Sequence, residues 1–321
     1  YNIFLLIIIE LFEKEKNMFR KQLIGIISLI LTTFLTAPAR AETVMEKVAR
    51  TGVLTISTRS DLIPYSYINE AGELVGYSID LLNLVQEELE QRLGKDIIIQ
   101  VVIEEKISER IPKLRSGEFD IACDTAFTWE RDRFVDFSTS YAVSGIRLLV
   151  NSESNLASPE SLANKRIGTA PNNPGAVTIK TIQPQANLVS VNSVEEGLNA
   201  LEEGKVDALA GDTVILYAIR EELGKDSYKL VPEQPYARYG MGCMVAENNS
   251  TFLNLVNYSI IKMMQGYLVG ENRFEEMVNQ WFGPEGIINI DPTIIRNFFQ
   301  NVLITKEQVP LDQTDSQAII K

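Results

Sequence analysis

The stretch Gly117-Glu-Phe-Asp-Ile-Ala-Cys-Asp-Thr-Ala-Phe-Thr-Trp-Glu-Arg-Asp-Arg-Phe-Val-Asp-Phe-Ser138 is the most informative part of this sequence. Its residues 119–123 predict a short buried strand, and a loop of small and polar residues follows. Arg131 closes the loop, and its planar guanidinium can bind a carboxylate through two parallel hydrogen bonds. The stretch therefore favours recognition of a small zwitterion such as an amino acid over chemistry performed on one.

Strand and helix patterns alternate on both sides of this stretch. Strands are predicted at 53–58, 97–103, 166–170, 206–210 and 240–245, and helices at 78–93, 108–116, 176–182, 194–203, 213–223, 251–265, 271–281 and 292–303. This alternation predicts an α/β protein with mainly parallel strand pairing. We expect the chain to pass between two lobes twice, near 147–151 and near 238–242. The lobes would then share one cleft at the carboxyl ends of their strands.

The first 41 residues are typical of a targeting segment. Residues 18–41 combine a basic start, an apolar run and an Ala-x-Ala ending at Ala41, which predicts a secretory signal peptide cleaved after that residue. A membrane anchor is the alternative, but the apolar run is shorter than the roughly 20 residues that a spanning helix needs. Residues 1–17 are interpreted as an extension upstream of Met18, or else as a second hydrophobic segment.

The composition excludes several classes of function. The 321 residues include 30 basic and 43 acidic side chains, a net charge of −13, which argues against binding to nucleic acid or to an anionic membrane surface. The sequence has no histidine, so Ser-His-Asp and Cys-His catalysis and histidine-based metal sites are excluded. We expect no metal and no cofactor.

Two cysteines, Cys123 and Cys243, follow the predicted cleavage site. In an oxidising compartment they are expected to form a single disulfide. Two buried free thiols are the alternative.

Several short motifs resemble those of the family 3 extracellular solute-binding proteins, the periplasmic amino-acid receptors of ABC importers. The motifs are 64–67 (Pro-Tyr-Ser-Tyr), 72–81, Glu130-Arg131 and 135–138. Their order and spacing are more specific than any one of them, and the similarity covers about 44–284. Further positions, among them Arg59, Arg110 and Cys123, are most similar to the glutamate/aspartate-binding branch.

This resemblance implies a two-lobed type II periplasmic-binding fold that closes on its ligand about a hinge of two crossover strands. Lobe 1 is predicted to comprise 42–146 and 242–290, lobe 2 to comprise 147–241, and a C-terminal helix and tail to occupy 291–321. The protein is expected to be a periplasmic monomer that delivers an amino acid to an ABC permease. Glutamate or aspartate is the favoured ligand, and a neutral polar amino acid such as glutamine is the alternative.

The resemblance also implies roles for individual residues. Arg131 would bind the α-carboxylate of the ligand, and Asp212, at the start of a helix in lobe 2, would bind the α-ammonium group. Oxygens near Asp124 and Thr125 would complete the ammonium site. Tyr65 would cover the aliphatic part of the ligand, although core packing is the alternative for this residue.

A second set of residues would meet the ligand side chain. Arg59 and Arg110 would face a side-chain carboxylate, which distinguishes an acidic amino acid from a neutral one. A structural ion pair is the alternative for Arg59, and a solvated helix surface is the alternative for Arg110. Asn173 and the backbone amide of Gly175 would face the ligand at a helix N-terminus.

The sequence departs from the family pattern at three places that bear on the ligand. One is the turn of lobe 2, where residues 170–175 (Ala-Pro-Asn-Asn-Pro-Gly) replace the usual Gly-Thr-Thr-type turn. Ala126 stands where the family usually has a hydroxyl residue, and Val194 aligns with a histidine of the glutamate/aspartate branch. Two other classes of function are alternatives, an enzyme of the dehydratase type on the same fold and the sensor domain of a membrane receptor. A binding protein is favoured over both, because no acid or base stands out in the cleft and no long apolar run follows Phe299.

Overall fold

The computed structural model describes residues 13–16, 41–171, 173–223 and 226–305. Most of the predicted signal peptide (18–40) and the tail after residue 305 lie outside the described residues. The elements from Val44 onward belong to one compact unit.

The first part of this unit alternates strands and helices as the sequence predicts. Its elements are α1 (Val44–Thr51), β1 (Val53–Thr58), β2 (Asp61–Leu62), β3 (Ser66–Ile68), β4 (Leu74–Val75), α2 (Tyr77–Leu93), β5 (Ile98–Ile103), α3 (Ile107–Ser116), β6 (Ile121–Ala126) and β7 (Asp136–Phe137). The sequence did not predict α1 or the small antiparallel sheet that β2, β3 and β4 form.

The second part continues the same alternation and ends in three helices. Its elements are β8 (Ala142–Asn151), a 3₁₀ turn (Pro159–Leu162), β9 (Arg166–Thr169), α4 (Pro174–Ile182), β10 (Asn187–Ser190), α5 (Val194–Glu202), β11 (Ala208–Asp212), α6 (Thr213–Leu223), β12 (Tyr228–Val231), β13 (Ala237–Val245), α7 (Ser250–Val269), α8 (Asn272–Phe282) and α9 (Pro292–Ile304). Among the helices of the described residues, none is long and apolar enough to span a bilayer.

One continuous sheet runs through both lobes in the order β10-β9-β11-β8-β13-β6-β1-β5, with β12 and β7 attached at its middle. Pairing is parallel within β5-β1-β6 and within β10-β9-β11. It is antiparallel wherever β8 or β13 takes part. The architecture is therefore α/β with two parallel halves, one in each lobe, which confirms the predicted fold class.

The two long strands β8 and β13 join the halves. Residues 142–146 of β8 pair with 237–241 of β13. Beyond this shared segment, β8 continues along β11 and β13 continues along β6. Each strand thus begins beside one lobe and ends beside the other, which is the geometry of a two-strand hinge. The lobe boundaries at 146/147 and 241/242 stay a prediction, and they fall within these crossing strands.

The sheet of lobe 2 is buried on both faces. Alternate residues of a strand point to opposite sides, so Leu148 and Val150 join one hydrophobic cluster while Leu149 joins another. On β11, Ala208 and Ala210 join the first cluster and Leu209 joins the second. Helices therefore cover both faces of this half-sheet, as expected for parallel strands.

The larger of two hydrophobic clusters forms most of the core of lobe 1, and α9 packs on it. Ile295 and Phe299 of α9 are buried in this cluster, and the Phe299 ring lies 5.2 Å from that of Tyr267, centre to centre. Arg296 donates to the Leu268 carbonyl at 3.0 Å and pairs with Glu275 at 3.1 Å. The predicted C-terminal helix is therefore an integral part of lobe 1.

Cys123 on β6 and Cys243 on β13 form a disulfide, which confirms the predicted pairing. The strand register shifts between Gly242 and Met244, so Cys123 and Asp124 together lie opposite Cys243. This arrangement is a β-bulge, which redirects side chains. Asp124 has a φ of 55°, a left-handed conformation that aspartate tolerates better than most residues. The bulge places the Asp124 side chain completely inside the protein.

Candidate functional site

A cavity of about 200 Å³ lies between the two lobes. This volume is below the roughly 300–1,000 Å³ of drug-sized sites and suits a small molecule. Lobe 1 contributes residues that follow β1, begin α3 and end β6. Lobe 2 contributes the starts of α4, α5 and α6, each of which follows a strand. Because carboxyl ends of parallel strands meet at one edge, both half-sheets present the same edge to this cavity.

Arg131 lies in the loop after β6 and lines the cavity. Its Nη1 donates to the Ala126 carbonyl at 2.9 Å, and its backbone N–H donates to the Thr128 hydroxyl at 3.2 Å, which fixes the loop. Within the described part of the chain, no carboxylate forms an ion pair with Arg131. Burial, together with the nearby Arg110 guanidinium, lowers the pKa of Arg131. A half-buried cation that has no carboxylate as ion-pair partner among the described residues can receive an anion.

Asp212 faces the cavity from lobe 2 and begins α6. Its Oδ1 accepts from the backbone N–H groups of Val214 and Ile215 at 2.8 and 3.1 Å, so it caps the helix as predicted. Its Oδ2 accepts from the Tyr239 hydroxyl at 2.5 Å. Burial raises the pKa of the Asp212 carboxyl. A cation in the cavity would stabilise the ionised form of this group.

Arg110 and Asp124 form a buried ion pair in the lobe 1 wall. Arg110 Nη1 lies 2.7 Å from Asp124 Oδ1, and Nη2 donates to the Cys123 carbonyl at 2.8 Å. The second oxygen of Asp124 accepts from the hydroxyls of Thr58 and Ser66, both at 2.8 Å. Arg110 is only 4% exposed, so the predicted alternative of a solvated helix surface is wrong. The Asp124 carboxylate is enclosed and already shared among three groups of the chain.

Arg59 also reaches the cavity with its charge compensated. Its Nε and Nη2 bind the two oxygens of Asp61 at 2.8 and 2.7 Å, a bidentate pair. The Glu105 carboxylate lies 3.4 Å from the same Nε. The structural ion pair that was the alternative for Arg59 is therefore present.

Three further predicted residues line the cavity. Thr125 donates from its hydroxyl to the Cys123 carbonyl at 3.0 Å. Asn173 caps α4 by accepting from the Ala176 N–H at 2.8 Å. Gly175 packs so closely that a Cβ there would lie 3.1 Å from both the Ala210 carbonyl oxygen and the Thr169 hydroxyl. Any ligand role for these residues stays a prediction, but they share the cavity with Arg131 and Asp212.

Tyr65 is the exception among the predicted site residues. Its side chain is 0% exposed and belongs to the lobe 1 core, where it lies 6.2 Å from the Phe282 ring. It is not among the residues that line the cavity. Core packing, the alternative for Tyr65, therefore describes its position, and the prediction that it covers the ligand has no support in this geometry.

Sequence reasoning missed Tyr239 and the partners of the arginines. Tyr239 lies on β13 and lines the cavity, and its contact with Asp212 joins residues 27 apart in the sequence. Burial and the adjacent Asp212 carboxylate raise the pKa of the Tyr239 hydroxyl far above its usual range, so this group acts as a donor. No local motif signals such a contact. In the described ranges, no cluster of three or more acidic or cysteine side chains could hold a metal ion.

Comparison with known proteins identifies the family. The family model for "bacterial extracellular solute-binding proteins, family 3" matches residues 54–284. The chain is 26% identical over 274 residues to the glutamate/aspartate import solute-binding protein of Escherichia coli (strain K12), covering 82% of this chain and 88% of that protein. It is 28% identical over 213 residues to the ABC transporter glutamine-binding protein GlnH of Bacillus subtilis (strain 168), covering 66% and 74%.

A solved structure of a binding protein shares the fold of this chain. A mutant of ArgBP from T. maritima superposes with a TM-score of 0.65 at 20% identity, covering 75% of this chain and 99% of that one. The two relatives found by sequence are named for import or an ABC transporter, with different amino acids in their names. The chain belongs to family 3 of the bacterial extracellular solute-binding proteins.

Proposed function

We propose that this protein binds a free amino acid in the cavity between its lobes and delivers it to an ABC permease from the periplasm. The observation that carries the proposal is the pairing of opposite charges across one small cavity. Arg131 offers an unpaired guanidinium from lobe 1, and Asp212 offers a carboxylate from lobe 2. An α-carboxylate and an α-ammonium group are the complementary charges.

Arg131 and Asp212 lie on opposite walls of the cavity, so closure about the hinge would bring both of them into contact with one ligand. A zwitterion bound by both groups would favour the closed arrangement of the lobes, because only that arrangement satisfies both of its ends. The crossing strands β8 and β13 would carry the motion. A permease that recognises the closed form could then distinguish the loaded receptor from the empty one.

The candidates for the ligand are an acidic amino acid and a neutral polar one. Glutamate or aspartate is supported by the Escherichia coli relative, and glutamine by the Bacillus subtilis relative. The geometry supports the zwitterionic end of the ligand more strongly than a side-chain carboxylate, because Arg59 and Arg110 already hold carboxylates of the chain itself. Thr125, Asn173 and Gly175 are the remaining candidates for contact with the ligand.

A thermal-shift screen of the chain from residue 42 onward against the twenty common amino acids tests the proposal. A ligand that binds only the folded protein raises its melting temperature with increasing concentration. We expect a concentration-dependent rise for one chemically related group of amino acids. The absence of a rise for every amino acid, confirmed by titration calorimetry, would reject amino-acid capture.

A further inference from the structure

The charged side chains that line the cavity number five among the described residues: Arg59, Arg110, Arg131, Asp124 and Asp212. Arg59 pairs with two carboxylates, those of Asp61 and Glu105, which together outweigh its charge, and Arg110 is neutralised by Asp124. Of these five charged side chains, Arg131 and Asp212 are therefore the two without an ion-pair partner among the described residues. Their charges are complementary to the α-carboxylate and α-ammonium groups of an amino acid. No unpaired cation remains among the described lining residues for a third ligand charge, a side-chain carboxylate.

The Arg110–Asp124 pair is built as a permanent feature. Asp124 receives hydrogen bonds from Thr58 and Ser66 besides its contact with Arg110, and its backbone N–H donates to the Tyr141 hydroxyl at 2.7 Å. The adjacent Cys123 is tied to β13 by the disulfide. A ligand carboxylate could not displace Asp124 without leaving an enclosed anion unpaired, which is strongly unfavourable.

The described residues of lobe 2 bring no compensating cation to the cavity. None of its described residues that line the cavity is a lysine or an arginine. The helix starts on this wall are already capped, α4 by Asn173, α5 by Ser193 and α6 by Asp212. A ligand with a side-chain carboxylate would therefore lose its hydration beside a neutral pair whose anion repels it.

Building on the proposed amino-acid binding, we propose that Asp124 acts as an internal carboxylate that makes this cavity select an amino acid with an uncharged side chain over one with a side-chain carboxylate. Asp124 is thereby a specificity-determining residue, and it acts through Arg110. The selectivity arises because the chain itself supplies the anion that an acidic ligand would otherwise bring.

Titration calorimetry with glutamine and glutamate tests this inference, because the two ligands have nearly the same shape and differ in side-chain charge. We expect the wild-type protein to bind glutamine at least tenfold more tightly than glutamate. In Asp124→Asn the freed Arg110 should bind glutamate at least tenfold more tightly than the wild type does. Asparagine also accepts the left-handed backbone at this position.

Asp120→Asn provides a matched control. Asp120 precedes the same strand, is 4% exposed and pairs with Lys47 at 2.9 Å, but it does not line the cavity. Its loss should destabilise the protein without changing the ratio of glutamine to glutamate affinity. The double variant Arg110→Gln/Asp124→Asn removes both charges together, and it should not gain affinity for glutamate.

The outcomes that contradict the inference can be told apart. A wild type that binds glutamate as tightly as glutamine, or more tightly, overturns the role of Asp124 and leaves amino-acid binding intact. A double variant that gains glutamate affinity shows that Arg110 is not the freed cation. If Asp124→Asn does not fold, the wild-type ratio and the double variant still decide. A wild type that binds no amino acid at all overturns both this inference and the proposed function.

Discussion

The two walls of the cavity are built from different chemistry. The lobe 1 wall contains three arginines, two of which are held in ion pairs with carboxylates of the chain. The lobe 2 wall consists of the starts of three helices, with Asp212 as its charged side chain among the described lining residues. The lobe 1 wall thus presents charged side chains, most of which are held in ion pairs. The lobe 2 wall presents mainly backbone groups and small side chains.

This difference indicates that the two walls have different roles in ligand binding. Fixed ion pairs and a disulfide make the lobe 1 wall rigid, so it is suited to define which side chain fits. Helix starts on the lobe 2 wall present small residues such as Gly175 that allow close approach. We expect lobe 1 variants to change ligand choice and anchoring most strongly, and lobe 2 variants to change affinity more moderately.

The largest effect is expected for Arg131→Ala on the lobe 1 wall. Removing one partner of an enclosed charge pair typically costs about 2–5 kcal/mol, which corresponds to a roughly 30-fold to several-thousand-fold loss of affinity. Titration calorimetry with the best ligand of the thermal-shift screen measures this loss. Arg133→Ala is the matched control, because Arg133 is exposed and does not line the cavity. Equal affinity in the two variants would contradict the assignment of Arg131.

A smaller loss is expected for Asp212→Asn on the opposite wall. Asparagine keeps the helix cap but removes the charge, so we expect a cost of about 1.5–3 kcal/mol, or roughly 10- to 150-fold in affinity. Circular dichroism should show that the fold is retained. An affinity within threefold of the wild type would show that the ammonium group binds elsewhere.

The pH dependence of binding should separate Asp212 from the arginines. Burial raises the pKa of the Asp212 carboxyl in the free protein, and a bound ammonium group favours its ionised form. At a pH near this raised pKa, binding should therefore release up to one proton, and affinity should fall as the pH is lowered through it. Calorimetry in buffers of different ionisation enthalpy measures the released proton. Proton uptake on binding, or the same release in Asp212→Asn, would contradict this account.

Gly175→Ala should have a modest effect on the lobe 2 wall. The new Cβ would lie 3.1 Å from the Ala210 carbonyl oxygen and the Thr169 hydroxyl, so the start of α4 must shift slightly at a cost of about 1 kcal/mol. We expect an affinity loss of less than about tenfold. Val177→Ala on the exposed side of the same helix is the control. A complete loss of binding in Gly175→Ala but not in Val177→Ala would contradict the expectation that lobe 2 variants change affinity only moderately.

Phe299→Ala should leave affinity nearly unchanged while it reduces stability. Phe299 lies in the lobe 1 core on α9, away from the cavity, and truncating such a ring typically costs about 3–5 kcal/mol of unfolding free energy. Urea denaturation measures the loss. If the variant keeps its stability but loses affinity, α9 is coupled to the site and not only to the core.

The alternation of elements could be predicted because each one carries a local signal. The helix 213–223 was predicted with the bounds that α6 has, since Asp212 provides the cap and an apolar face follows. Cys123 and Cys243 could be paired because they are the two cysteines of the chain. The short strands β2, β3 and β4 were missed, since each has only two or three residues and no periodicity to detect.

The charge state of the site could not be predicted from the same information. Arg110 and Asp124 are both visible as candidate ligands, but their mutual contact depends on a bulge that turns Asp124 inward. Tyr65 is a polar aromatic residue in a family motif, and only tertiary packing places it in the core. Sequence patterns thus indicate which residues approach the cavity, whereas the packing decides which charges remain available there.

A crystal structure of the chain with the amino acid that gives the largest thermal shift tests the central claim most directly. We predict that the α-carboxylate lies within hydrogen-bonding distance of the Arg131 guanidinium and that the α-ammonium group contacts Asp212. The Arg110–Asp124 pair should remain intact beside the ligand side chain. A ligand bound outside the cavity between the lobes, or one whose ammonium group contacts neither Asp212 nor its neighbours, would contradict the account.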